Sequence, residues 1–168
     1  FALPSKKITL KQYLKENDKS TIRIILLDQI NDPQNVGAII RSAFAFNFDA
    51  VGVTKNKSPG ETSSLIKASS GEIEKIFLIE IGNLVNEIKL LKANGFFVYG
   101  LANEGKIGIS SIEKNQKKIA LVIGSEGKGL RALTKKNLDS IYNIPINKQC
   151  DSLNASNAAA IAMYELKN

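Results

Sequence analysis

Three polar loops hold the residues of this sequence whose types could do chemistry. The first loop, residues 32–41, places Asn35 and Arg41 at the start of a predicted helix. An arginine is a fixed planar donor suited to a phosphate or to a developing oxyanion, and it is a poor base. The structural alternative is that Asn35 caps the helix and Arg41 is an ordinary surface cation. The loop alone leaves both interpretations open.

The second loop is glycine-rich and follows an apolar run. In this glycine loop (residues 124–129) the glycines stand at 124, 127 and 129, a spacing that fits neither a dinucleotide fingerprint nor a P-loop. The loop also contains Glu126, whose carboxylate would repel a tightly held phosphate. The pattern therefore favours a cationic or hydroxyl-bearing ligand, or a partner amide or arginine, over a nucleotide phosphate. A plain glycine turn with an exposed glutamate is the alternative.

The third loop spans residues 144–157 and precedes the last predicted helix. Either Ser152 or Asp151 could cap that helix. Capping does not explain Asn154 and Asn157, which are poor helix formers spaced three apart on one face of the first turn. They predict a polar site. The alanines beyond them predict close packing against another backbone, within the fold or across a dimer.

Alternating strand and helix patterns must position these loops. Strands are predicted at 22–28, 50–54, 75–79, 96–101, 119–123 and 140–144, and helices at 36–46, 84–93, 131–138 and 153–166. This alternation predicts an α/β protein with a parallel sheet covered by helices on both faces. Ligands of such sheets bind beyond the carboxyl ends of the strands. The loops after Asp28, Leu101, Ile123 and Ile144 are therefore the expected site. Residues 5–20, polar and rich in lysine, predict a helix or linker outside the core.

Composition limits the chemistry further. The chain has 168 residues, enough for one domain, and its apolar runs are far shorter than the roughly 20 residues of a membrane helix. It contains no histidine and a single cysteine, Cys150, which excludes a histidine base, a His/Cys zinc site and an internal disulfide. We therefore expect no metal, no membrane and a reducing, cytoplasmic compartment.

The net charge of +7, with seven basic residues against Glu126 between positions 114 and 136, indicates a polyanionic partner or a solvated basic face.

The three loops, in this order, resemble the SpoU (TrmH) family of RNA 2′-O-ribose methyltransferases, within the SPOUT superfamily. The resemblance spans residues 22–166. It is carried by three motifs: Asn35-Val36-Gly37-x-x-x-Arg41, Gly124-Ser125-Glu126-Gly127-x-Gly129, and Ile144-Pro145-Ile146 through Ser152-Leu153-Asn154-x-Ser156. Each motif alone is weak, whereas all three at these separations form a specific signal.

This resemblance implies a deep C-terminal trefoil knot, S-adenosyl-L-methionine bound in a bent form against the knot, and a homodimer. It implies that the cofactor is bound by Leu101, Gly124, Ile144 and Leu153. It implies that the catalytic and RNA-positioning residues are Asn35, Arg41, Glu126, Ser152 and Asn154. A carboxylate in the glycine loop suits this cofactor, which has a sulfonium and a ribose but no phosphate.

The expected function is methylation of a ribose 2′-hydroxyl in structured RNA. The run at residues 69–75 and the third motif's spacing favour guanosine in 23S ribosomal RNA. Methylation of transfer RNA and a non-catalytic RNA-binding module are the alternatives. The glycine spacing disfavours a dinucleotide-dependent oxidoreductase. Residues 21–168 are the expected catalytic domain. Residues 1–20 are expected to be an N-terminal extension or the remnant of a linker, because many family members carry a small RNA-binding domain ahead of the catalytic one.

Overall fold

Strand β2 (Ile22–Asp28) is buried at all seven positions, which explains its nearly continuous apolar sequence. It pairs in parallel with β7 (Lys118–Gly124) over their whole length, from Ile22 opposite Lys118 to Asp28 opposite Gly124. The two strands therefore end together. Their shared carboxyl end is where the loops expected to form the site begin.

A computed structural model describes residues 8–54 and 75–167 of the chain. Within these residues the sheet has eight strands in the order β1-β4-β3-β2-β7-β5-β8-β6, and every pairing is parallel. The other strands are β1 (Ile8–Thr9), β3 (Ala50–Thr54), β4 (Phe77–Ile81), β5 (Phe97–Leu101), β6 (Ile107–Gly108) and β8 (Ser140–Asn143). The predicted parallel α/β class is confirmed.

Helices cover both faces of this sheet. They are α1 (Leu10–Glu16), α2 (Pro33–Ala45), α3 (Leu84–Ala93), α4 (Ala132–Asn137) and α5 (Ala155–Leu166), with a 3-10 turn at Ile109–Ser111. The core on one face holds α2 and α5, which pack against each other, and the core on the other face holds α1 and α3. The alanines of α5 are used within the fold, since Ala159 and Ala162 are fully buried in the first core. The knot itself stays a prediction.

Helix α2, which carries the first motif, begins at Pro33, two residues before Asn35, the residue expected to cap it. Asp32 is the N-cap, and its carboxylate accepts a hydrogen bond from the main-chain N–H of Asn35 at 3.1 Å. Asn35 is therefore not the cap, and this prediction was wrong. The physical reason is Pro33, whose fixed φ suits the first helical position and whose missing N–H needs no partner there.

The cap of α5 was also predicted wrongly. Neither Asp151 nor Ser152 caps it, because the helix begins at Ala155 with Asn154 as the N-cap. The Oδ1 atom of Asn154 accepts from the main-chain N–H groups of Ser156 at 2.9 Å and of Asn157 at 3.4 Å. Capping therefore explains why Asn154, a poor helix former, stands at the start of this helix.

The amino-terminal segment contributes to the core, contrary to expectation. Strand β1 pairs with β4, placing Ile8 opposite Ile79, and α1 buries Leu10 and Tyr13 completely. Since Leu10 and Tyr13 are three residues apart, they share one face of the helix, but two apolar residues among lysines are too few for a recognisable pattern. Strand β4 itself lies two residues later than predicted.

The run at residues 69–75, which favours guanosine in 23S ribosomal RNA as the substrate, lies outside the described residues except for its last residue, Lys75. Within residues 8–54 and 75–167, no helix has the length and apolar character needed to cross a membrane.

Candidate active site

A cavity of about 260 Å³ opens at the carboxyl edge of the sheet. It lies between the loops that follow β5, β7 and β8. Its apolar lining comes from Leu101, Ala102, Ile123, Ile144, Ile146, Leu153, Ala155 and Ala158. All four residues expected to bind the cofactor line this one cavity, the fourth being Gly124. Residues from three distant parts of the sequence thus meet in one pocket.

The glycine loop folds back on itself at the pocket wall. The main-chain N–H of Gly129 donates to the carbonyl of Ser125 at 2.8 Å, and these two residues form an isolated antiparallel bridge. Gly127 and Gly129 have φ of +76° and +61°, which other residues adopt only under strain. A Cβ on Gly124 would lie 2.3 Å from the carbonyl carbon of Gly129. The glycines therefore serve the fold of the loop, which explains why their spacing matches no phosphate-binding motif.

Beside the pocket, one residue from each of the three loops joins a hydrogen-bonded cluster. Asn154 Nδ2 donates to Glu126 Oε1 at 2.7 Å and to Asn35 Oδ1 at 3.1 Å. The main-chain N–H of Ala155 donates to the same Glu126 oxygen at 3.1 Å. Glu126 therefore sits at the N-terminus of α5, where the helix dipole favours a negative charge. We call Asn35, Glu126 and Asn154 the amide–carboxylate cluster.

The two other predicted site residues are placed differently. Ser152 lines the pocket, and its carbonyl accepts a hydrogen bond from the Cys150 thiol at 3.5 Å. Arg41 does not line the pocket; it is exposed and, within the described part of the chain, forms no hydrogen bond or ion pair. It follows Asn35 by six residues on α2, which separates them by about 9 Å along the helix axis and about 240° around it. The structure thus brings together every predicted site residue except Arg41.

Sequence reasoning missed the contacts that brace the mouth of the pocket. Asn103 Nδ2 donates to the main-chain carbonyl of Asp151 at 2.9 Å, joining the loops after β5 and β8. Glu104 pairs with Lys135 of α4, and the hydrogen bond from Lys135 lowers the pKa of the Glu104 carboxyl. Both contacts link residues more than 30 positions apart, so no local pattern could have indicated them.

An ion pair beside the ends of the glycine loop was also not predicted. Asp28, the last residue of β2, is buried and binds Arg131 just beyond the glycine loop. The signal available in the sequence was an aspartate ending an otherwise apolar strand. The pairing of this aspartate with an arginine of the basic stretch was not predicted.

That basic stretch does not form one surface. Lys114, Lys117 and Lys118 lie at the amino end of β7, whereas Lys128 lies in the glycine loop past its carboxyl end. The seven residues of β7 put about 20 Å between Lys118 and that loop. Arg131 and Lys135 are also paired with carboxylates. At the pocket itself, Glu104, Glu126 and Asp151 outnumber Lys128. In residues 8–54 and 75–167, no group of three or more His, Cys, Asp and Glu side chains could hold a metal ion.

The model of the SpoU rRNA Methylase family matches residues 22–164. A tRNA/rRNA methyltransferase of Borreliella burgdorferi, named without a characterised activity, is 41% identical over 149 residues, covering 89% of this chain and 65% of that protein. A protein of Staphylococcus saprophyticus, assigned by name to the TrmH family of tRNA/rRNA methyltransferases, is 38% identical over 152 residues, covering 90% of this chain and 60% of its own length. The chain spans less than two thirds of these relatives.

Solved structures share the fold. The AdoMet-bound rRNA methyltransferase from Sinorhizobium meliloti superposes with a TM-score of 0.84 at 23% identity, over 96% of this chain and 60% of that one. A structure from Porphyromonas gingivalis, named for the TrmH family of RNA methyltransferases, superposes with a TM-score of 0.78 at 25% identity, over 90% of this chain and 61% of that one. The parallel sheet with its covering helices is therefore the architecture of these proteins.

Proposed function

The chain belongs to the SpoU rRNA methylase family, as its three loops predicted, and on that premise we propose that it methylates a ribose 2′-hydroxyl of RNA with S-adenosylmethionine as the donor. One observation carries the proposal. The amide–carboxylate cluster and the cavity lie at the same edge of the sheet and share Glu126.

The pocket fits this cofactor in its chemistry. Leu101, Ile144 and Leu153 offer apolar contact for an adenosyl group, and the loop backbones beside them offer donors and acceptors. Glu126 and Asp151 favour a cationic ligand over one bearing phosphates. When bound, S-adenosylmethionine supplies a methyl group on a positively charged sulfur, and its transfer to the ribose oxygen leaves a neutral thioether. Leu101, Gly124, Ile144 and Leu153 would hold it.

The hydroxyl must lose its proton, and the chain has no histidine to take it. A guanidinium resists deprotonation because its pKa is above about 12. We therefore assign Arg41 the role of stabilising the developing alkoxide while the proton leaves to water. Arg41 lies outside the cavity, so this role requires bound RNA to bring the reacting hydroxyl within reach of its guanidinium. The side chain is exposed and, in the described residues, unpaired, so it is free to meet an RNA phosphate.

The amide–carboxylate cluster has a positioning role in this scheme. Both Asn154 and the N-terminus of α5 donate to one oxygen of Glu126, which leaves its Oε2 atom without a partner in the described part of the chain. An oriented carboxylate with one free oxygen can accept a hydrogen bond from the substrate ribose. Ser152, at the pocket rim, is placed to contact the same ribose or the cofactor. Alignment of the reacting atoms supplies much of the acceleration in such a displacement.

We further propose that the substrate is guanosine in 23S ribosomal RNA. The support comes from the sequence alone, in the run at residues 69–75 and the third motif's spacing. The relatives' names cover both tRNA and rRNA, and transfer RNA is the second candidate. Residues 21–168 would be the catalytic domain, working in the cytoplasm. From the segment before it, β1 extends the sheet and α1 packs in the core.

We also propose a homodimer through the outer face of α2 and α5. Ile161 and Tyr164, three positions apart on one face of α5, are 40% and 55% exposed, and the Tyr164 ring contacts Phe46 at the end of α2. An apolar patch of this kind marks an interaction surface. Light scattering should give twice the chain mass, and Ile161→Asp should give the monomer mass. A monomeric parent chain would contradict the proposal.

Calorimetry with S-adenosylmethionine, NAD and ATP tests the donor. We expect binding of S-adenosylmethionine alone, whereas binding of NAD or ATP in its place would overturn the proposal. Transfer of a labelled methyl group to total RNA tests the activity, and mapping of ribose methylation in cells lacking the protein identifies the nucleotide. Cofactor binding with no transfer to any RNA would favour the non-catalytic module.

A further inference from the structure

The carboxylate of Asp28 is wholly inaccessible and, among the residues that the structure describes, is held by Arg131 alone. Its Oδ1 atom accepts a hydrogen bond from Arg131 Nε at 2.8 Å and forms an ion-pair contact with Nη2 at 2.8 Å. Its Oδ2 atom accepts the main-chain N–H of Arg131 at 3.3 Å. The Arg131 side chain is 50% exposed, so the pair lies at the boundary between core and solvent. Neither residue lines the cavity.

This pair closes the glycine loop at both of its ends. Asp28 stands opposite Gly124, the first residue of the loop, in the pairing of β2 with β7. Arg131 lies two positions after Gly129, the last residue of the loop, and the intervening Leu130 is buried. The loop therefore starts beside Asp28 and returns to it. The absence of a side chain at Gly124 lets the backbone of Gly129 lie directly over it.

The cavity wall and the position of Glu126 both depend on this closure of the glycine loop. The loop forms one wall of the cavity, and its Glu126 receives the hydrogen bonds of Asn154 and of Ala155. If the exit of the loop moved, the wall and the glutamate would move with it. Sites held only loosely by their supporting residues lose affinity and rate.

We propose that Asp28 and Arg131 are positioning residues that clamp the glycine loop closed and thereby preorganise the cofactor pocket and Glu126. The inference rests on the proposed function for the identity of the ligand. The closure of the loop is testable without any ligand. Buried charge pairs add little net stability over apolar residues, so the pair is expected to act on geometry. Asp28→Asn removes the buried charge and Arg131→Lys keeps a cation beside it, so neither variant leaves a buried carboxylate without a cationic partner.

Hydrogen exchange of the whole chain measures the clamp directly. The amides of Lys128 and Gly129 are bonded inside the loop, to the carbonyls of Glu126 at 2.9 Å and Ser125 at 2.8 Å. In Asp28→Asn and Arg131→Lys we expect these two amides to exchange at least about tenfold faster, a change equivalent to about 1.4 kcal/mol. Amides in the interiors of β2 and β7 should keep the parent rates. Lys92→Ala, which breaks an ion pair with Asp139 away from the loop, is the control and should change neither set.

Calorimetry with S-adenosylmethionine then measures the consequence. Both clamp variants should bind about tenfold more weakly than the parent chain, and the control should bind equally well. If the parent chain does not bind S-adenosylmethionine, the proposed function fails while the exchange result still decides the clamp. Unchanged exchange of the loop amides in both variants would overturn the clamp. So would faster exchange of loop and strands together, since that indicates a general loss of stability. Should Asp28→Asn not fold, Arg131→Lys, altered only at a half-exposed side chain, decides.

Discussion

The two ends of strand β2 each bury one charged side chain, and they use it differently. At the amino end Arg23, 2% exposed, donates to main-chain carbonyls of Leu166 at 3.1 Å, Lys117 at 3.0 Å and Lys114 at 3.1 Å. At the carboxyl end Asp28 holds a single arginine. The amino end is closed by acceptors that belong to the backbone, whereas the carboxyl end is closed by a side-chain pair that leaves the loops beyond it open to a ligand.

Helix α5 connects the two ends. Its last residue, Leu166, is held by Arg23, and its first turn, through Asn154 and Ala155, holds Glu126. Burial lowers the pKa of Arg23, and the nearby Asp49 offsets part of that effect. One end of the sheet therefore stabilises the fold, and the other end positions the residues that carry the chemistry.

The largest effect is expected from Arg41. Arg41→Ala should lower kcat about 100-fold by removing stabilisation of the developing oxyanion, with the free energy of unfolding unchanged because the side chain is exposed. Methyl-transfer kinetics at saturating RNA and urea unfolding measure the two quantities. Lys89→Ala, an exposed cation on the opposite face of the sheet, is the matched control. Arg41→Lys at nearly full turnover would show that a directed guanidinium is not needed.

Arg23→Met removes the hydrogen bonds that close the amino end of β2. This change keeps the aliphatic volume but strips donors from three main-chain carbonyls, so the free energy of unfolding should fall by about 3 kcal/mol. Urea unfolding measures it. The folded variant should bind S-adenosylmethionine as the parent does. A loss of cofactor affinity at unchanged stability would contradict the division between the two ends.

Asn154 has a role in both stability and the site, because it caps α5 and also donates a hydrogen bond to Glu126. Asn154→Ala should cost about 1 kcal/mol through the lost helix cap. It should also lower turnover about tenfold through the misplaced Glu126. Asn154→Ser retains a capping oxygen but no amide donor, so it should restore stability and leave turnover low. Recovery of both by serine would mean that only the cap matters.

The smallest effect is expected from Glu104 and Lys135. Because Lys135 lowers the pKa of Glu104 below its ordinary value of 4.5, the pair stabilises the fold at neutral pH, and this contribution is lost as pH falls through the lowered pKa. Both side chains are partly exposed, so Lys135→Ala should cost less than about 1 kcal/mol at pH 7. Urea unfolding at pH 7 and pH 3 should show the difference between variant and parent shrinking. An unchanged difference would contradict the assignment.

The sequence alone determined the fold class and the identity of the three loops. Apolar runs and helical spacing are local patterns, so they placed β2, β7 and α5 within a few residues. Two of the predictions that failed concerned helix caps. The cap of α2 lies at Asp32 because Pro33 suits the first helical position, and the cap of α5 lies at Asn154, which also reaches Glu126 28 positions away.

Only the tertiary structure decided which side chains meet. Arg131 binds a carboxylate 103 positions away, Asn154 donates to an amide 119 positions away, and Arg23 reaches a carbonyl 143 positions away. Such partners are chosen by the order of strands in the sheet, which periodicity does not encode. Hence the sequence identified the loops of the site, and the parallel sheet, by ending β2, β5, β7 and β8 at one edge, determined that the pocket and the amide–carboxylate cluster lie side by side.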